Sequence, residues 1–500
     1  SYYKPSIFVK QISSKTYAVL QEKLYKYAGF FVQSRTLRRY PRKIAAHVFG
    51  YVGEADESII ESDPYYRPGD YIGISGIEKS YEKILRGKKG VKIYLVDVHN
   101  RVKGSYMDGK YDSTAIAGTN ITITLDAELQ AYGEKLMNKK IGSIVAVEPA
   151  TGQILSLVTS PGYNPELLVG RVRTKNYKIL SNDSLKPLFN RALMAQYPPG
   201  STFKVMNALI ALQEGVANYY TKYSCYGGYR VGRFFVGCHN HESPLNLPQS
   251  IQYSCNTYYC NLFRKLLDDD QYSSVSEGLT TWRKHLLSFG FGNKLNTDFT
   301  NELPGLIPSN LYYDKYYGED RWNSLNVVSL GIGQGEILTT PLQMANMTAA
   351  IANRGFYYTP HIVKDIEGNE DIDDRFLVKR FTSIDSNYFE TVIEGMEQVV
   401  HGGPGSTARW IKLRDVVICG KTGTAENPHG EDHSIFIAFA PKENPKIAVS
   451  VYVENGGFGS TWAAPIASLM IEKYINKEIA RKWLENYVLK ENLLNVEEED

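Results

Sequence analysis

The 500-residue sequence lacks the features that mark several common classes of protein. It has no run of roughly 18 apolar residues, which a membrane-spanning helix would need, and no signal peptide at its start. We therefore expect the chain as given to be soluble, and because it starts without methionine we expect it to have lost an N-terminal segment. It has no long run of Lys or Arg and no recognised nucleic-acid-binding motif, which argues against nucleic acid as a partner.

The net charge is small and cysteines are few. A net charge of +2 indicates no charged partner. The five cysteines are odd in number and do not suggest a disulfide scaffold. Four of them nevertheless lie between positions 225 and 260, and this crowding needs an explanation. We predict that Cys260 and Cys419 are core residues, which leaves Cys225, Cys238 and Cys255.

What is present is typical of a large globular protein. Hydrophobic residues make up 43% of the chain and charged residues 22%, which is enough to build a core. A chain of this length exceeds one ordinary core, so we expect two or more domains. A boundary is predicted near residue 122, where an alternating strand ends and Asp126 can cap a helix.

Two hairpins are predicted beyond that boundary. The first pairs residues 143–148 with 153–159 around a Pro-Ala-Thr-Gly turn, and the second pairs residues 434–440 with 446–454. These strands can join into one antiparallel sheet with helical segments between them. One such helix should begin at the capping box that starts at Thr340.

Ser201-Thr202-Phe203-Lys204 is the first stretch with a chemical signature. It follows a Pro-Pro-Gly segment and precedes apolar residues at roughly helical spacing, so Ser201 should sit at a helix N-terminus with Lys204 one turn later on the same face. A nucleophilic hydroxyl needs a base within hydrogen-bond reach, and a partly desolvated lysine can be that base. The pair alone predicts only a nucleophile beside a base.

Two further short motifs extend this signature. Ser254-Cys255-Asn256 offers a hydroxyl that can relay a proton and an amide that can bind a carbonyl. Lys421-Thr422-Gly423-Thr424 follows an apolar run and is predicted to lie on a strand, where Lys421 and Thr422 could hold a carboxylate and Gly423 leaves room for a substrate backbone.

The spacing of the glycines argues against a nucleotide enzyme. Gly420-Lys421-Thr422 matches the end of a phosphate-binding loop, but that loop requires glycine at position 415, which is Asp415. The glycines of residues 331–335 also miss the spacing of a dinucleotide-binding loop.

The order S-x-x-K, S-x-N, K-T-G is the signature of penicillin-binding proteins and serine β-lactamases. Other stretches extend the resemblance from about residue 39 to 470, and it is strongest to class B penicillin-binding proteins of the elongation type, the penicillin-binding protein 2 family. The N-terminal stretches resemble the pedestal of that class, and the later ones its transpeptidase domain. They are Arg39-Tyr40-Pro41, residues 47–53, residues 76–79, residues 147–155, Asn190-Arg191-Ala192 and residues 331–335.

The resemblance implies an α+β fold in which an extended N-terminal pedestal precedes a transpeptidase domain built of an antiparallel sheet with helices. On this basis residues 1–121 are the dimerisation-like pedestal, residues 122–485 the transpeptidase domain and residues 486–500 an acidic tail. The last four residues, Glu497-Glu498-Glu499-Asp500, are expected to be solvated.

The resemblance also implies a reaction, the cross-linking of peptidoglycan stem peptides through an acyl-enzyme. Ser201 would attack the penultimate D-Ala carbonyl, Lys204 would act as its base, and Ser254 would relay protons. Asn256 would help to position Lys204 and the substrate. Lys421, Thr422 and Gly423 would bind the terminal carboxylate and backbone, and the N–H groups of Ser201 and Thr424 would form the oxyanion hole. β-Lactams would leave Ser201 acylated, and no cofactor is implied for catalysis.

Metal binding could explain the crowded cysteines. Three cysteines and one histidine suit tetrahedral zinc. Some elongation-type penicillin-binding proteins carry zinc here through a residue inside the S-x-N motif, and His241 matches that spacing better than His239. The hypothesis is a structural zinc site with four ligands: Cys225, Cys238, His241 and Cys255. A Cys225–Cys238 disulfide and simple buried thiols stay open as alternatives.

Two other functions remain as alternatives. A β-lactamase or D,D-carboxypeptidase would share the motifs, although no deacylating base is evident. A penicillin-sensing receptor or scaffold would share the fold. By resemblance, the partners are stem peptides, β-lactams, a RodA-type glycosyltransferase and an MreC-type scaffold. The expected location is the bacterial inner membrane, with the domains in the periplasm and an N-terminal anchor that this chain lacks.

Overall fold

In the computed structural model of the chain, the described residues are 8–494 apart from 11, 28, 31, 33–35, 100, 320, 369–371 and 429. The predicted solvated residues Glu497-Glu498-Glu499-Asp500 lie outside them. Among the described residues the α-helices are, in chain order, α1 (Ser14–Gln21), α2 (Ala46–Phe49), α3 (Glu57–Ser62), α4 (Gly76–Ser80), α5 (Glu82–Leu85), α6 (Ala127–Leu136), α7 (Arg173–Asn182), α8 (Arg191–Met194), α9 (Lys204–Gln213), α10 (Leu247–Gln252), α11 (Asn256–Leu267), α12 (Val275–Ser288), α13 (Asn310–Tyr317), α14 (Pro341–Ala352), α15 (Phe389–His401), α16 (Ala463–Asn476) and α17 (Lys482–Lys490).

The strands of the same residues are, in chain order, β1 (Val52–Glu54), β2 (Tyr71–Gly73), β3 (Tyr94–Val96), β4 (Val102–Ser105), β5 (Ile121–Ile123), β6 (Gly142–Val147), β7 (Ile154–Ser160), β8 (Gly228–Val231), β9 (Phe234–Gly237), β10 (Phe356–Tyr358), β11 (Val363–Ile366), β12 (Lys379–Phe381), β13 (Cys419–Ala425), β14 (His433–Ala440) and β15 (Ile447–Val453). Within the described chain, no helix is both long and apolar enough to span a membrane.

The chain forms two compact units. The smaller unit comprises residues 1–121, 163–186 and 366–369, and the larger unit comprises the remainder. The segment 163–186, which carries α7, falls within the range that the sequence assigns to the transpeptidase domain. The helix α17 crosses the expected start of the tail at residue 486, and Val488 on this helix is buried.

The smaller unit is built from short elements. Strands β1 and β2 pair antiparallel, as do β3 and β4. Gly76 starts α4 with a φ of +58°, and a Cβ at this position would lie 2.5 Å from the carbonyl oxygen of Val48. Only glycine permits this close backbone approach, which fixes α4 against the turn after α2. Arg38 pairs with the Glu78 carboxylate of α4 at 2.6 Å.

The larger unit is organised by a five-stranded antiparallel sheet with the order β13-β14-β15-β6-β7. Both predicted hairpins are therefore confirmed as parts of one sheet, with Val449 of β15 opposite Ala146 of β6. Every residue of β6, β7 and β15 is buried. A strand with one solvated face would alternate between buried and exposed residues, so both faces of these three strands are covered.

Helices supply that cover. Helix α6 begins at the predicted N-cap Asp126, whose carboxylate accepts the N–H groups of Glu128 and Leu129. Helix α14 begins at Thr340 with both hydrogen bonds of the predicted capping box, and all of its residues are buried. Such a fully buried helix lies inside the unit rather than on its surface. Beside this core, β13 forms the edge of the sheet that carries the predicted Lys421 motif.

Candidate active site

Ser201 lies on a single 3₁₀ turn, Gly200–Phe203, and Lys204 is the first residue of α9. The helix thus starts after the Pro-Pro-Gly segment, as the sequence predicts. Gly200 has a φ of +55°, and a Cβ there would lie 2.5 Å from the Thr424 carbonyl oxygen of β13. Its N–H donates to the Gly333 carbonyl at 2.8 Å. The turn that carries Ser201 is therefore held between the edge strand and the loop of residues 333–335.

The Lys204 ammonium is buried beneath this turn. It donates to the Ser254 carbonyl oxygen at 2.7 Å, to Asn256 Oδ1 at 2.6 Å and to Ser254 Oγ at 3.3 Å. Within the described residues, no hydrogen bond joins Lys204 to the Ser201 hydroxyl. Burial lowers the pKa of Lys204 to about 8, because the surroundings solvate its charged form poorly. A lysine in this state can lose its proton near neutral pH, which a base must do.

Lys421 reaches the same serine from β13. Its ammonium donates to Ser254 Oγ at 2.8 Å and to the Thr422 carbonyl at 2.9 Å. Burial, followed by the nearby positive charge of Lys204, holds the pKa of Lys421 well below its ordinary value. Ser254 has a φ of +54°, a conformation that costs free energy for a residue with a side chain. This conformation places its hydroxyl between the two ammonium groups.

We refer to Lys204, Ser254, Asn256 and Lys421 as the lysine cluster. The Ser254 oxygen accepts from both lysines, so its own hydrogen is available to a third group. A hydroxyl between two lysines of lowered pKa can pass a proton from one group to another. The structure thus brings together the predicted residues of all three motifs, with Ser201 on the turn directly before Lys204.

The strand residues beside Lys421 have specific partners. Thr422 Oγ1 donates to Thr407 Oγ1 at 3.0 Å, and the Thr424 carbonyl accepts the Gln334 side-chain amide at 3.2 Å. The sequence predicts room for a substrate backbone at Gly423. A Cβ at Gly423 would lie 2.8 Å from Thr202 Cγ2, while the space for a substrate backbone stays a prediction. The missing side chain therefore makes room for the turn that carries Ser201.

Three polar residues of this region have no role assigned from the sequence, although Gln334 lies within the 331–335 stretch that carries the family resemblance. Thr407 and Gln334 contact the strand, and the buried Asn207 of α9 donates to the Leu330 and Gly331 carbonyls at 3.1 and 2.9 Å. The Trp282 indole donates to the Asn207 side-chain oxygen at 2.8 Å. Asn207 therefore joins the helix of Lys204 to the glycine-rich loop. Its position one turn after Lys204 is the only signal that the sequence offers.

A second cluster lies on the other side of the Ser254-Cys255-Asn256 tripeptide. The possible ligand atoms of four side chains all lie within 4.8 Å of one another. We call these side chains the cysteine cluster: Cys225, Cys238, His241 and Cys255. They are the four residues of the zinc hypothesis, and Cys260 and Cys419 are buried core residues as predicted.

The geometry of the cysteine cluster fits a tetrahedral ion. Cys238 Sγ lies 3.4 Å from His241 Nε2 and 3.9 Å from Cys255 Sγ, close to the edge lengths of a tetrahedron with metal bonds of about 2.3 Å. His241 Nδ1 lies 2.6 Å from the Glu242 carbonyl oxygen, so Nε2 is the nitrogen that faces the sulfurs. Cys238 Sγ also accepts the Asn256 N–H at 3.3 Å, which connects this cluster to the lysine cluster.

Comparison with known proteins identifies the family. A model described as the penicillin-binding protein transpeptidase domain matches residues 142–472, and one described as the penicillin-binding protein dimerisation domain matches residues 1–123. The chain belongs to the penicillin-binding protein transpeptidase family. The α+β fold with its N-terminal dimerisation domain is thereby confirmed.

Individual members of this family match the chain over most of its length. It is 31% identical to the peptidoglycan D,D-transpeptidase MrdA of Acinetobacter baumannii, over 92% of this chain and 69% of that protein. Among solved structures it resembles penicillin-binding protein 2 of Pseudomonas aeruginosa in complex with WCK 5153, at 33% identity and a TM-score of 0.74, covering 89% of this chain and 93% of that one. Penicillin-binding protein 2 of Helicobacter pylori, solved in complex with MreC, matches at 27% identity and a TM-score of 0.81, covering 94% and 86% of the two chains.

Proposed function

We propose that this protein is a peptidoglycan D,D-transpeptidase of the penicillin-binding protein 2 type, which cross-links stem peptides during cell elongation and is acylated by β-lactams. The observation that carries this proposal is the lysine cluster, because it places two lysines on the Ser254 hydroxyl immediately beside the turn of Ser201. The relatives named MrdA support the same reaction over most of the chain.

The first half of the reaction would form the acyl-enzyme. Ser201 Oγ attacks the carbonyl of the penultimate D-Ala, and its proton passes to neutral Lys204. The N–H groups of Ser201 and Thr424 hold the resulting oxyanion, a contribution of about 3 kcal/mol for one such donor. The C–N bond then breaks, and the leaving D-Ala amine takes the proton from Lys204 through Ser254.

The other residues of the site position the reactants. Lys421 and Thr422 hold the terminal carboxylate of the substrate, while Asn256 keeps Lys204 in place.

In the second half, the amine of a neighbouring stem peptide attacks the acyl carbonyl and gives a proton back along the same route. Ser201 regains its hydrogen when the new amide forms. The acid–base groups therefore return to their starting protonation states, as catalysis requires. No cofactor takes part in these steps.

Intact-mass measurement after incubation with a penicillin tests this function. We expect a single adduct that peptide mapping assigns to Ser201, and no adduct on the Ser201→Ala variant. Slow release of the adduct supports a transpeptidase, whereas rapid turnover would show a β-lactamase or carboxypeptidase. If Ser201→Ala left cross-linking of stem peptides unchanged, a sensor or scaffold function would replace the present one.

We also propose that the cysteine cluster holds a structural zinc ion. All four positions of a tetrahedral ion would be filled by protein ligands, so the ion would leave no open position for water and would only fasten the Ser254 segment. Metal analysis of protein purified without added zinc, beside Cys238→Ser, tests this. We expect about one zinc per chain in the parent and almost none in the variant. Equal metal in both proteins, or a mass that shows a Cys225–Cys238 disulfide, would exclude this ligand set.

The partners and the location follow from family resemblance. We propose that residues 1–121 form a pedestal that contacts a RodA-type glycosyltransferase and an MreC-type scaffold, and that residues 122–485 carry the reaction in the periplasm at the inner membrane. The structure of penicillin-binding protein 2 of Helicobacter pylori with MreC supports the scaffold partner. Co-purification with each candidate partner, using chains with and without residues 1–121, would test the pedestal role.

A further inference from the structure

The helix α13 carries four tyrosines that the proposed reaction does not use. They occupy positions 312, 313, 316 and 317, a spacing that places all four on one face of a helix. Asp314 and Lys315 lie between them in sequence and therefore on the other side. The Trp322 indole donates to Asp314 Oδ1 at 2.8 Å, so the Asp314 carboxylate has a partner of its own. The helix thus presents a purely aromatic face.

These tyrosines are not simply core residues. Tyr313 is buried, but Tyr316 and Tyr317 are 65% and 43% exposed. The rings of Tyr312 and Tyr316 lie 4.9 Å apart, and those of Tyr313 and Tyr317 lie 6.4 Å apart. Together with Glu336 they line a cavity of about 330 Å³. This volume lies at the lower end of small-molecule sites, which range from about 300 to 1,000 Å³.

Glu336 gives the cavity its charge. Its carboxylate is half-buried and accepts the Tyr313 hydroxyl at 2.8 Å. Among the described residues, the structure records no ion pair for Glu336, and no Lys or Arg lines the cavity. A carboxylate without a cationic partner, in a cavity otherwise lined by tyrosine side chains, favours a positive charge and disfavours an anion.

We propose that Tyr312, Tyr313, Tyr316, Tyr317 and Glu336 form a binding site for an organic cation of the alkylammonium class. The rings would contact the C–H groups next to the nitrogen, and the carboxylate would pair with its charge. Glu336 follows directly after the loop whose Gln334 contacts Thr424, so the site lies on the same segment as the acyl-transfer centre. The cation could be a side-chain amine of a peptide or a free amine, and both share this chemistry.

Ligand-observed NMR on the full chain, at fixed salt concentration, tests this inference. The probes are n-butylammonium and tetramethylammonium, with neutral tert-butanol as the matched control. We expect both cations to bind and tert-butanol to bind at least about tenfold more weakly. Equal binding of the neutral probe, or no binding of either cation, would overturn the proposal. Nα-acetyl-lysine methylamide and its norleucine analogue form a second pair, and tighter binding of the lysine compound than of butylammonium identifies a peptide amine as the source.

Variants locate the site. Glu336→Gln keeps an acceptor for the Tyr313 hydroxyl but removes the charge, and should weaken cation binding about tenfold. Tyr316→Leu removes an exposed ring and should weaken it about threefold, whereas Tyr316→Phe keeps the ring and should bind as the parent does. Tyr220→Leu changes a tyrosine that is 78% exposed and does not line the cavity, and it serves as the control. Thermal unfolding of each variant confirms that it is folded.

Unchanged cation binding in both Glu336→Gln and Tyr316→Leu would contradict the proposed site. Because none of these measurements involves Ser201, a failure here is distinguishable from a failure of the proposed function.

Discussion

The lysine cluster and the cysteine cluster share the tripeptide Ser254-Cys255-Asn256 but are built in different ways. The lysine cluster joins α9 to the sheet edge β13, and both of its lysines are fully buried. The cysteine cluster has three half-buried members, and two of its cysteines flank the hairpin of β8 and β9. In that hairpin only Tyr229 is buried.

This difference shows what holds each cluster in place. Core packing positions the two lysines, at the expense of burying two cations, which lowers both pKa values. The hairpin beside the cysteines has little core of its own, so a cross-link between its ends would contribute more to its order. The Asn256 side-chain amide donates to the Gly237 carbonyl at 2.8 Å, so disorder in the hairpin would be transmitted to the partner of Lys204.

The largest expected effect comes from removing the base of the lysine cluster. Lys204→Met keeps the length of the side chain but cannot accept a proton, so acylation by a labelled penicillin should slow about 10³-fold. The free energy of unfolding should change little, because relief from burying the Lys204 cation offsets the hydrogen bonds that Ser254 and Asn256 lose. Time courses of labelled adduct and thermal unfolding measure the two quantities. A rate loss of less than about tenfold would remove Lys204 from the role of base.

The pH dependence of acylation tests the same lysine without a mutation. Lys204 acts when neutral, and burial lowers its pKa to about 8. The acylation rate should therefore rise with pH and level off above about pH 8, with a loss of about fiftyfold between pH 8 and pH 6. The rate of acylation by a penicillin, measured at several pH values over this range, gives the profile. A rate independent of pH would contradict a lysine base.

Cys255→Ser tests the cysteine cluster with a smaller expected effect. Cys255 is the N-cap of α11, and its sulfur accepts the Tyr258 N–H at 3.3 Å. Serine is a good N-cap, so the variant keeps the cap and loses only the thiolate. We expect loss of bound zinc and a fall in acylation rate of about tenfold, since changes around a metal site typically cost 10- to 100-fold.

Cys260→Ser is the matched control for that variant. Cys260 is buried on the same helix but lies outside the cysteine cluster. The Cys260→Ser variant should be less stable than the parent, because it buries a hydroxyl, but it should keep its zinc. Should Cys255→Ser retain both its zinc and its acylation rate, the cysteine cluster would have no part in holding the Ser254 segment.

The difference between the clusters also explains how much could be predicted from the sequence. Ser201, Lys204 and Lys421 could be identified from the sequence because each belongs to a motif of only a few neighbouring residues. The hairpins and the caps at Asp126 and Thr340 are likewise local patterns, and the structure has them at the predicted places.

Contacts between distant segments could not be predicted. Asn207 meets Leu330 and Gly331, which lie more than a hundred positions later in the chain, and no local pattern announces such a pair. The assignment of residues 163–186 to the smaller unit could not be predicted either, because it depends on contacts with residues that are far away in the sequence. The contact between Gly423 and Thr202 could not be predicted either, because a glycine in a sequence shows only that space is needed and not which neighbour needs it.

Thr407 offers the finest test, since it belongs to neither cluster. Its hydroxyl accepts from Thr422 Oγ1 at 3.0 Å and donates to the Gln252 carbonyl at 3.4 Å, so it connects the strand of Lys421 to the end of α10, just before Ser254. Thr407→Val keeps the shape and removes both hydrogen bonds. One such bond is worth about 1 kcal/mol, so the second-order rate of acylation should fall about fivefold. The pH profile should keep its midpoint, because the contacts of Lys204 are untouched. An unchanged rate would mean that the sheet alone orients Thr422, and that the carboxylate-binding side of the site, like Lys204, is positioned by core packing.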